Sequence, residues 1–217
     1  MRKKHIRDYQ HVSWDWNGTL LDDAAFCTEC LNEVITGQGK PPIDLHRYQE
    51  IYTFPASAVY TALGLPSDEV SYKKSSIAYM SAYEKNRSQC QLHKDALSVL
   101  ESIHAARIPQ SIFSAYPQES LEAVVAEYGV GKFFQTLHGN DNIYSNDKAH
   151  RARSHFEGLS VPFDEILYFG DTIHDAEIAQ SLGIDCILIA KGHQARHRLE
   201  GQSAKVVDGY DEVLEML

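Results

Sequence analysis

Three aspartates, a serine and a lysine stand where parallel strands would end. Asp15 follows YQHVSW, Ser114 closes SIFSA, Lys148 opens a helical stretch, Asp171 follows EILYFG, and Asp175 comes one helical turn later in GDTIHD. In open parallel sheets ligands bind outside the carboxyl ends of the strands, so these side chains are drawn into one crevice. Three carboxylates crowded there repel one another unless a cation sits among them. A ligand set of hard oxygens, without Cys or His, selects Mg²⁺, which takes a few carboxylates and keeps several waters. Ser114 and Lys148 are donors suited to phosphoryl oxygens. The chemistry these residues predict is the handling of a phosphate ester at a divalent cation.

The elements that must position them alternate. After residue 110 the apolar runs SIFSA, TLHGND, EILYFGD, CILIAKG and AKVVDGY read as strands. Between them PQESLEAVVAEYGV, NDKAHRARSHFEGL and DAEIAQSLGI read as helices, the last ended by Gly183, and DEVLEML closes the chain. Strands alternating with helices predict βαβ units and a doubly wound, Rossmann-like parallel sheet of the α/β class. The first strand, YQHVSWD, is more polar than a central strand usually is, with Gln10, His11 and Ser13. Residues 22–92 break the pattern: DAAFCTECLNEVI, PASAVYTALG and VSYKKSSIAYMSAYEKNRS favour helix, punctuated by Pro41, Pro42, Pro55 and Pro66, with no strand pattern. They are predicted to form a helical insertion, and residues 1–21 and 93–217 the α/β core, which the chain re-enters through the helix LHKDALSVLESIHAARI.

Composition narrows the partners. The chain has 217 residues, 43% hydrophobic and 23% charged, enough to bury a sizeable core. Its formal net charge of −10 repels nucleic acid and anionic membranes, so neither is an expected partner. No segment approaches the ~20 apolar residues that span a bilayer, and no apolar stretch of signal-peptide length follows the basic residues near Met1, so a cytoplasmic location is expected. Cys27 and Cys30 form a CxxC without a second ligand pair, which reads as two residues sharing a helix face. His193 and His197 have i, i+4 spacing but neither an intervening Glu nor a third ligand, which reads as a solvated polar stretch.

Taken in order, DWNGT with Asp15, Gly18 and Thr19, then Ser114 after an apolar strand, Lys148, and GDTIHD at 170–175 resemble the haloacid dehalogenase-like superfamily of hydrolases. The resemblance covers nearly the whole chain, residues 22–92 standing where that superfamily carries a helical cap. It implies a phosphatase in which Asp15 attacks phosphorus and water hydrolyses the aspartyl-phosphate. It further implies Mg²⁺ held by the Asp15 carboxylate, the Asn17 backbone carbonyl and Asp171, with Asp175 in the metal set through water or as the residue orienting Lys148. Ser114 and Lys148, with Ala115, Gly18 and Thr19, would meet the phosphoryl oxygens, Gly18 by allowing a tight turn that brings backbone N–H groups close.

One position departs from the superfamily. Phosphatases of this kind normally carry Asp two residues after the nucleophile, to protonate the leaving oxygen and activate water; here it is Asn17. The amide spares the backbone metal ligand and removes an acid/base that contributes ~10²–10⁴-fold. Three readings stay open. One is a phosphatase of a small phosphorylated metabolite, with a replaced acid/base (His11 or an insertion residue) or leaving groups that need none. Another is a C–P hydrolase of the phosphonoacetaldehyde hydrolase type, which requires a Schiff-base lysine such as Lys40, Lys73, Lys74 or Lys85. The third is a phosphate-ester binding protein with little turnover. A dehalogenase reading is weaker, because those enzymes need no Mg²⁺ and leave Asp171 and Asp175 without purpose. Tyr52, Phe54 and Arg47 are candidate substrate contacts from the insertion, Arg47 for a substrate carboxylate. The similarity of that insertion to the cap of phosphoglycolate phosphatases makes small phosphorylated metabolites the leading substrate class. Oligomeric state is not predicted.

Overall fold

In a computed structural model, which describes residues 4–141 and 148–217, the alternating pattern resolves into eight strands. They are β1 (His11–Trp14), β2 (Leu21–Asp22), β3 (Gln91–Leu92), β4 (Gln110–Pro117), β5 (Thr136–Asn140), β6 (Ile166–Gly170), β7 (Asp185–Ile189) and β8 (Lys205–Val207). Six of them form one sheet in the order β5–β4–β1–β6–β7–β8, every neighbouring pair parallel. Of the ten described α-helices, α1 (Ala24–Thr36), α2 (Leu45–Ile51), α3 (Ser57–Ala62) and α4 (Glu69–Asn86) precede β3. The rest are α5 (Ala96–Ala105), α6 (Gln118–Glu127), α7 (Lys148–Gly158), α8 (Ile173–Leu182), α9 (Arg196–Leu199) and α10 (Tyr210–Leu214).

Side chains alternate across each strand, so the sheet has two buried faces. Val12, Trp14, Ile112 and Phe169 pack on one side with residues of α5, α6 and α10. Phe113, Tyr168 and Leu188 pack on the other with residues of α7 and α8. This is the doubly wound, Rossmann-like α/β fold that the alternation of elements predicts. The helix α8 ends as its sequence indicates, at Gly183 in the left-handed region (φ 74°). Residues 146 and 147 of the predicted segment NDKAHRARSHFEGL lie outside the described residues. No helix among those described is long and apolar enough to cross a membrane.

Two differences concern the insertion. Its ends are not purely helical: β2 and β3 pair antiparallel, Leu21 opposite Leu92, as a two-residue ribbon too short to leave a periodic trace in the sequence. The helix α2 also lies within it, N-capped by the Asp44 carboxylate, which accepts from the Arg47 N–H at 2.7 Å.

The polarity of β1 has a structural cause. His11 and Ser13 face the side opposite Val12 and Trp14, where a hydrogen-bonded chain runs through the core. His11 Nε2 meets Ser111 Oγ at 2.8 Å, Ser111 donates to Ser13 at 3.1 Å, and Ser13 meets His155 Nε2 of α7 at 3.4 Å. His155 stacks on Phe113 with ring centroids 4.7 Å apart. His11 is therefore a core residue rather than a replacement acid/base. Burial lowers its imidazole to about 4 and that of His155 to about 3, the latter aided by His138 and His11.

These depressed values fix a sign. Below the ordinary value near 6.5 the unfolded chain takes up protons that the folded chain refuses, so this contribution is complete above pH 7 and is lost as pH falls toward 4. In His155→Gln, urea denaturation between pH 6 and pH 5 is expected to show a slope of stability against pH shallower by roughly 1.4 kcal/mol per pH unit. An unchanged slope would mean that His155 is already protonated in the folded protein.

Candidate active site

Strand register builds the site. β1 and β6 run side by side with Trp14 opposite Phe169, and the Asp15 N–H donates to the Phe169 carbonyl at 2.8 Å. Asp15 and Asp171 thus leave adjacent strands at the same edge. There the winding reverses: the chain steps outward from β1 to β4 and β5, then crosses to β6. A crevice opens at such a switch point.

Lys148, the first described residue of α7, is 3% exposed and lies between two carboxylates. Its Nζ is 2.9 Å from Asp15 Oδ1 and 2.7 Å from Asp175 Oδ1. Burial alone would lower the ammonium, but Asp15 and Asp175 outweigh it and hold the charge. Asp175 belongs to a capping box: its Oδ2 accepts from the Thr172 N–H and hydroxyl, while Oδ1 accepts from Lys148 and from Tyr168 at 2.9 Å. Burial opposes its ionisation, yet Lys148 and these donors keep it below the usual carboxylate range.

Asp171 is fully buried and accepts from Thr19 Oγ1 at 3.0 Å and the His193 N–H at 2.6 Å. Burial, then Asp175 and Asp15, push it well above the usual range. Asp15 is raised for the same reason, against the pull of Lys148. Oxygens of Asp15, Asp171 and Asp175 lie within 4.8 Å of one another, and the one ammonium among them contacts only Asp15 and Asp175. The residues fit a divalent cation: its charge would relieve the repulsion that now raises Asp171. The surrounding backbone is shaped around that carboxylate. A Cβ on Gly18 (φ 71°) would come within 2.3 Å of Asp171 Oδ2, and one on Gly192 within 2.2 Å. Oxygen donors match the expected Mg²⁺. Asp175 belongs to this cluster by distance, although most of its acceptor capacity is already used.

Beside the cluster the structure explains Asn17. Its Nδ2 donates to Asp23 Oδ2 at 2.7 Å and lies 2.8 Å from the Tyr83 hydroxyl, which itself donates to Asp23 at 2.7 Å. The Gly18 N–H donates to Asp23 Oδ1 at 2.9 Å, Cys27 Sγ lies 3.6 Å from Oδ2, and His193 Nε2 is 3.5 Å from Oδ1. Asp23 is a fully buried carboxylate held by donors on several sides. A carboxylate at position 17 would face it directly. Asp23, Cys27 and His193 also have potential ligand atoms within 4.8 Å of one another.

A cavity of ≈ 200 Å³ opens above Asp15, Asn17, Ser114, Ala115 and Lys148, beneath the helices α1 to α4. Five of the predicted site residues therefore meet at its floor. Gly18 and Thr19 do not line it. The Gly18 N–H points to Asp23 and the Leu21 carbonyl, and the Thr19 hydroxyl is committed to Asp171. Tyr52 and Phe54 do line it, whereas Arg47 is exposed and does not. Lys40, Lys73, Lys74 and Lys85 are exposed, and none of these four lines it.

Asp23, Tyr83 and His193 were not among the predicted site residues. His193 and His197 are not a helical pair: His193 is buried in the loop before α9, and His197 is solvated. The strand-end rule that selects Asp15 and Asp171 also reaches His193, four residues beyond the end of β7. Asp23 gives no such signal, because it opens the helix that leaves the sheet.

Residues 12–189 match the model of a family described as haloacid dehalogenase-like hydrolase. The phosphoglycolate phosphatase of Rhodobacter capsulatus is 23% identical over 189 residues, covering 83% of this chain and 84% of its own. That of Pseudomonas fluorescens Pf-5 is 21% identical over 208 residues, covering 91% of this chain and 75% of its own. A Bacteroides fragilis protein assigned to the haloacid dehalogenase-like hydrolases has the same fold, with a TM-score of 0.83 at 16% identity, over 94% of this chain and 99% of that one.

Asn17→Asp would turn a 2.7 Å donor–acceptor contact into two facing acceptors. At pH 8 the variant is expected to lose about 1–3 kcal/mol in urea denaturation, and Asp23→Asn added to it should recover most of that loss. Additive losses in the double variant would show the two side chains to be independent.

Proposed function

The chain belongs to the haloacid dehalogenase-like hydrolase family, and on that premise we propose that it is a Mg²⁺-dependent phosphatase of a small phosphorylated metabolite. The observation that carries this reading is Lys148 bridging Asp15 and Asp175 at the floor of the cavity, with Asp171 beside them. The relatives named phosphoglycolate phosphatases support the reaction class. Asp15, the Asn17 backbone carbonyl and Asp171 would hold the Mg²⁺, with Asp175 placed among them or fixing Lys148. When bound, the ion neutralises charge on the carboxylates and on the phosphoryl oxygens.

The chain's own groups perform the transfer. An Asp15 carboxylate oxygen attacks phosphorus in line with the ester oxygen, which leaves with the bonding electrons. Lys148 stays protonated and stabilises the charge spread over the phosphoryl oxygens, with the Ser114 hydroxyl and the backbone around Ala115 on the other side. Asp175 orients Lys148 through its 2.7 Å contact. Water then attacks the aspartyl-phosphate, releasing phosphate and restoring Asp15. Residues 22–92 act as a cap that shields the transfer from bulk water, with the α/β core comprising residues 1–21 and 93–217.

Acid-quenched protein incubated with acetyl phosphate and Mg²⁺ is expected to carry hydroxylamine-labile phosphate that maps to Asp15 and is absent from Asp15→Asn. Lys148→Gln should lower kcat/KM by ~10²–10³-fold. Chelation with EDTA should abolish turnover, and Mg²⁺ should restore it. Label retained in Asp15→Asn would remove this aspartate as nucleophile.

A further inference from the structure

The geometry points to an aryl phosphate as the ester this site takes, its phosphoryl group at Asp15 and its uncharged ring in the cavity. The inference rests on the phosphatase reading and deepens it. The wall carries the first argument. On α4, Tyr72, Ser76, Tyr79, Met80 and Tyr83 recur at the spacing of one helix face, and all five line the cavity. In total seven tyrosines and Phe54 line it. Two of those hydroxyls are engaged outside it: Tyr83 donates to Asp23 and Tyr116 to Glu84, neither of which is a lining residue. The Tyr48 hydroxyl meets His193 Nδ1 at 3.0 Å, and the rings themselves offer surface that favours a further ring face-on or edge-on. The volume suits one ring, since an apolar cavity of about 150 Å³ takes benzene.

The wall also holds little charge. Among the described lining residues Lys148 is the one Lys or Arg, and it is already placed between Asp15 and Asp175. The two ring nitrogens of His193 face Tyr48 and Asp23. A carboxylate on the organic part of the ester, such as phosphoglycolate carries, would be buried here without a counter-ion. The relatives share the fold and bear that substrate in their names; this wall is built for something neutral.

The leaving group points the same way. Asn17 has no proton to give, and its Nδ2 is directed to Asp23 and Tyr83. A phenol ionises near 10, as tyrosine does, whereas water and alkyl alcohols ionise at about 15 or above. The aryl–O–P bond can therefore break with its electron pair remaining on a phenolate, which takes a proton from solvent afterwards. Asp15 forms the new O–P bond; water later breaks it, its oxygen passing to phosphate and its proton to phosphate or solvent.

The test compares phenyl phosphate, cyclohexyl phosphate and 2-phosphoglycolate with Mg²⁺. Phenyl phosphate is expected to exceed each of the others in kcat/KM by at least tenfold, and Met80→Arg to narrow or reverse its lead over phosphoglycolate. A second measurement needs neither turnover nor a folded variant: phenylphosphonate should bind the unaltered protein at least tenfold more tightly than phosphonoacetate. If acetyl phosphate labels Asp15 but phosphoglycolate outruns phenyl phosphate, the aryl inference falls and the phosphatase stands. If nothing labels Asp15, the phosphatase reading falls, and equal binding of the two phosphonates overturns the aryl cavity as well.

Discussion

One ammonium among three buried carboxylates is the constraint around which this molecule is arranged. Asp15, Asp171 and Asp175 lie together at the edge of the sheet, and Lys148 reaches only the first and last of them. Repulsion of that kind is expensive in a protein interior, and the chain meets it with backbone as well as side chains. The β1–β6 register puts Asp15 and Asp171 side by side, and the capping box of α8 fixes Asp175. Gly170 leaves room for Asp175, where a Cβ would come within 2.4 Å of the aspartate's own Cβ. Gly18 and Gly192 do the same for Asp171. Asp15 lines the cavity while Asp171 and Asp175 are buried beside it, and three carboxylates against one ammonium is the condition for holding a divalent cation.

The Asn17–Asp23 pair extends that logic one layer outward. A buried carboxylate is present near Asp15, but at position 23, saturated by donors and outside the cavity wall. Its partners come from four places: the loop after β1, the start of α1, Tyr83 on α4, and His193 in the loop after β7. The loop that carries Asn17 is therefore tied to both ends of the helical segment, through Asp23 before α1 and Tyr83 near the end of α4. Moving α4 away from the sheet breaks contacts to Asn17 and to Asp23 together.

The fold was legible because strand and helix leave different periods in a sequence, and βαβ alternation admits few topologies. Asp15, Ser114, Lys148 and Asp171 were legible because the ends of parallel strands are where a sheet gathers its ligands. Asp23 was hidden by its place at the head of a helix, where an acidic residue is ordinarily a cap. His193 was hidden by a spacing to His197 that mimicked a helical pair across a loop. The β2–β3 ribbon has two residues in each strand, too few for alternation to show. His11 and Ser13 looked like defects in a strand; paired with Ser111 and His155 they are a satisfied polar seam, and only the packed sheet reveals the partners.

The tyrosine stripe of α4 shows why the sequence could not identify the organic group of the substrate. Aromatic residues recurring at helical spacing signal one apolar face, whether that face meets a core or a ligand. What separates the two cases is the surface opposite. Here Tyr72, Tyr79 and Tyr83 look across a cavity whose floor is Asp15 and Lys148, so the face that elsewhere would close a core instead bounds the candidate site. The family match covers residues 12–189, and with them most of the sheet and the charge problem at its strand ends. The walls answer to a different problem, the shape and charge of the organic group, and sharing the first does not carry over the second.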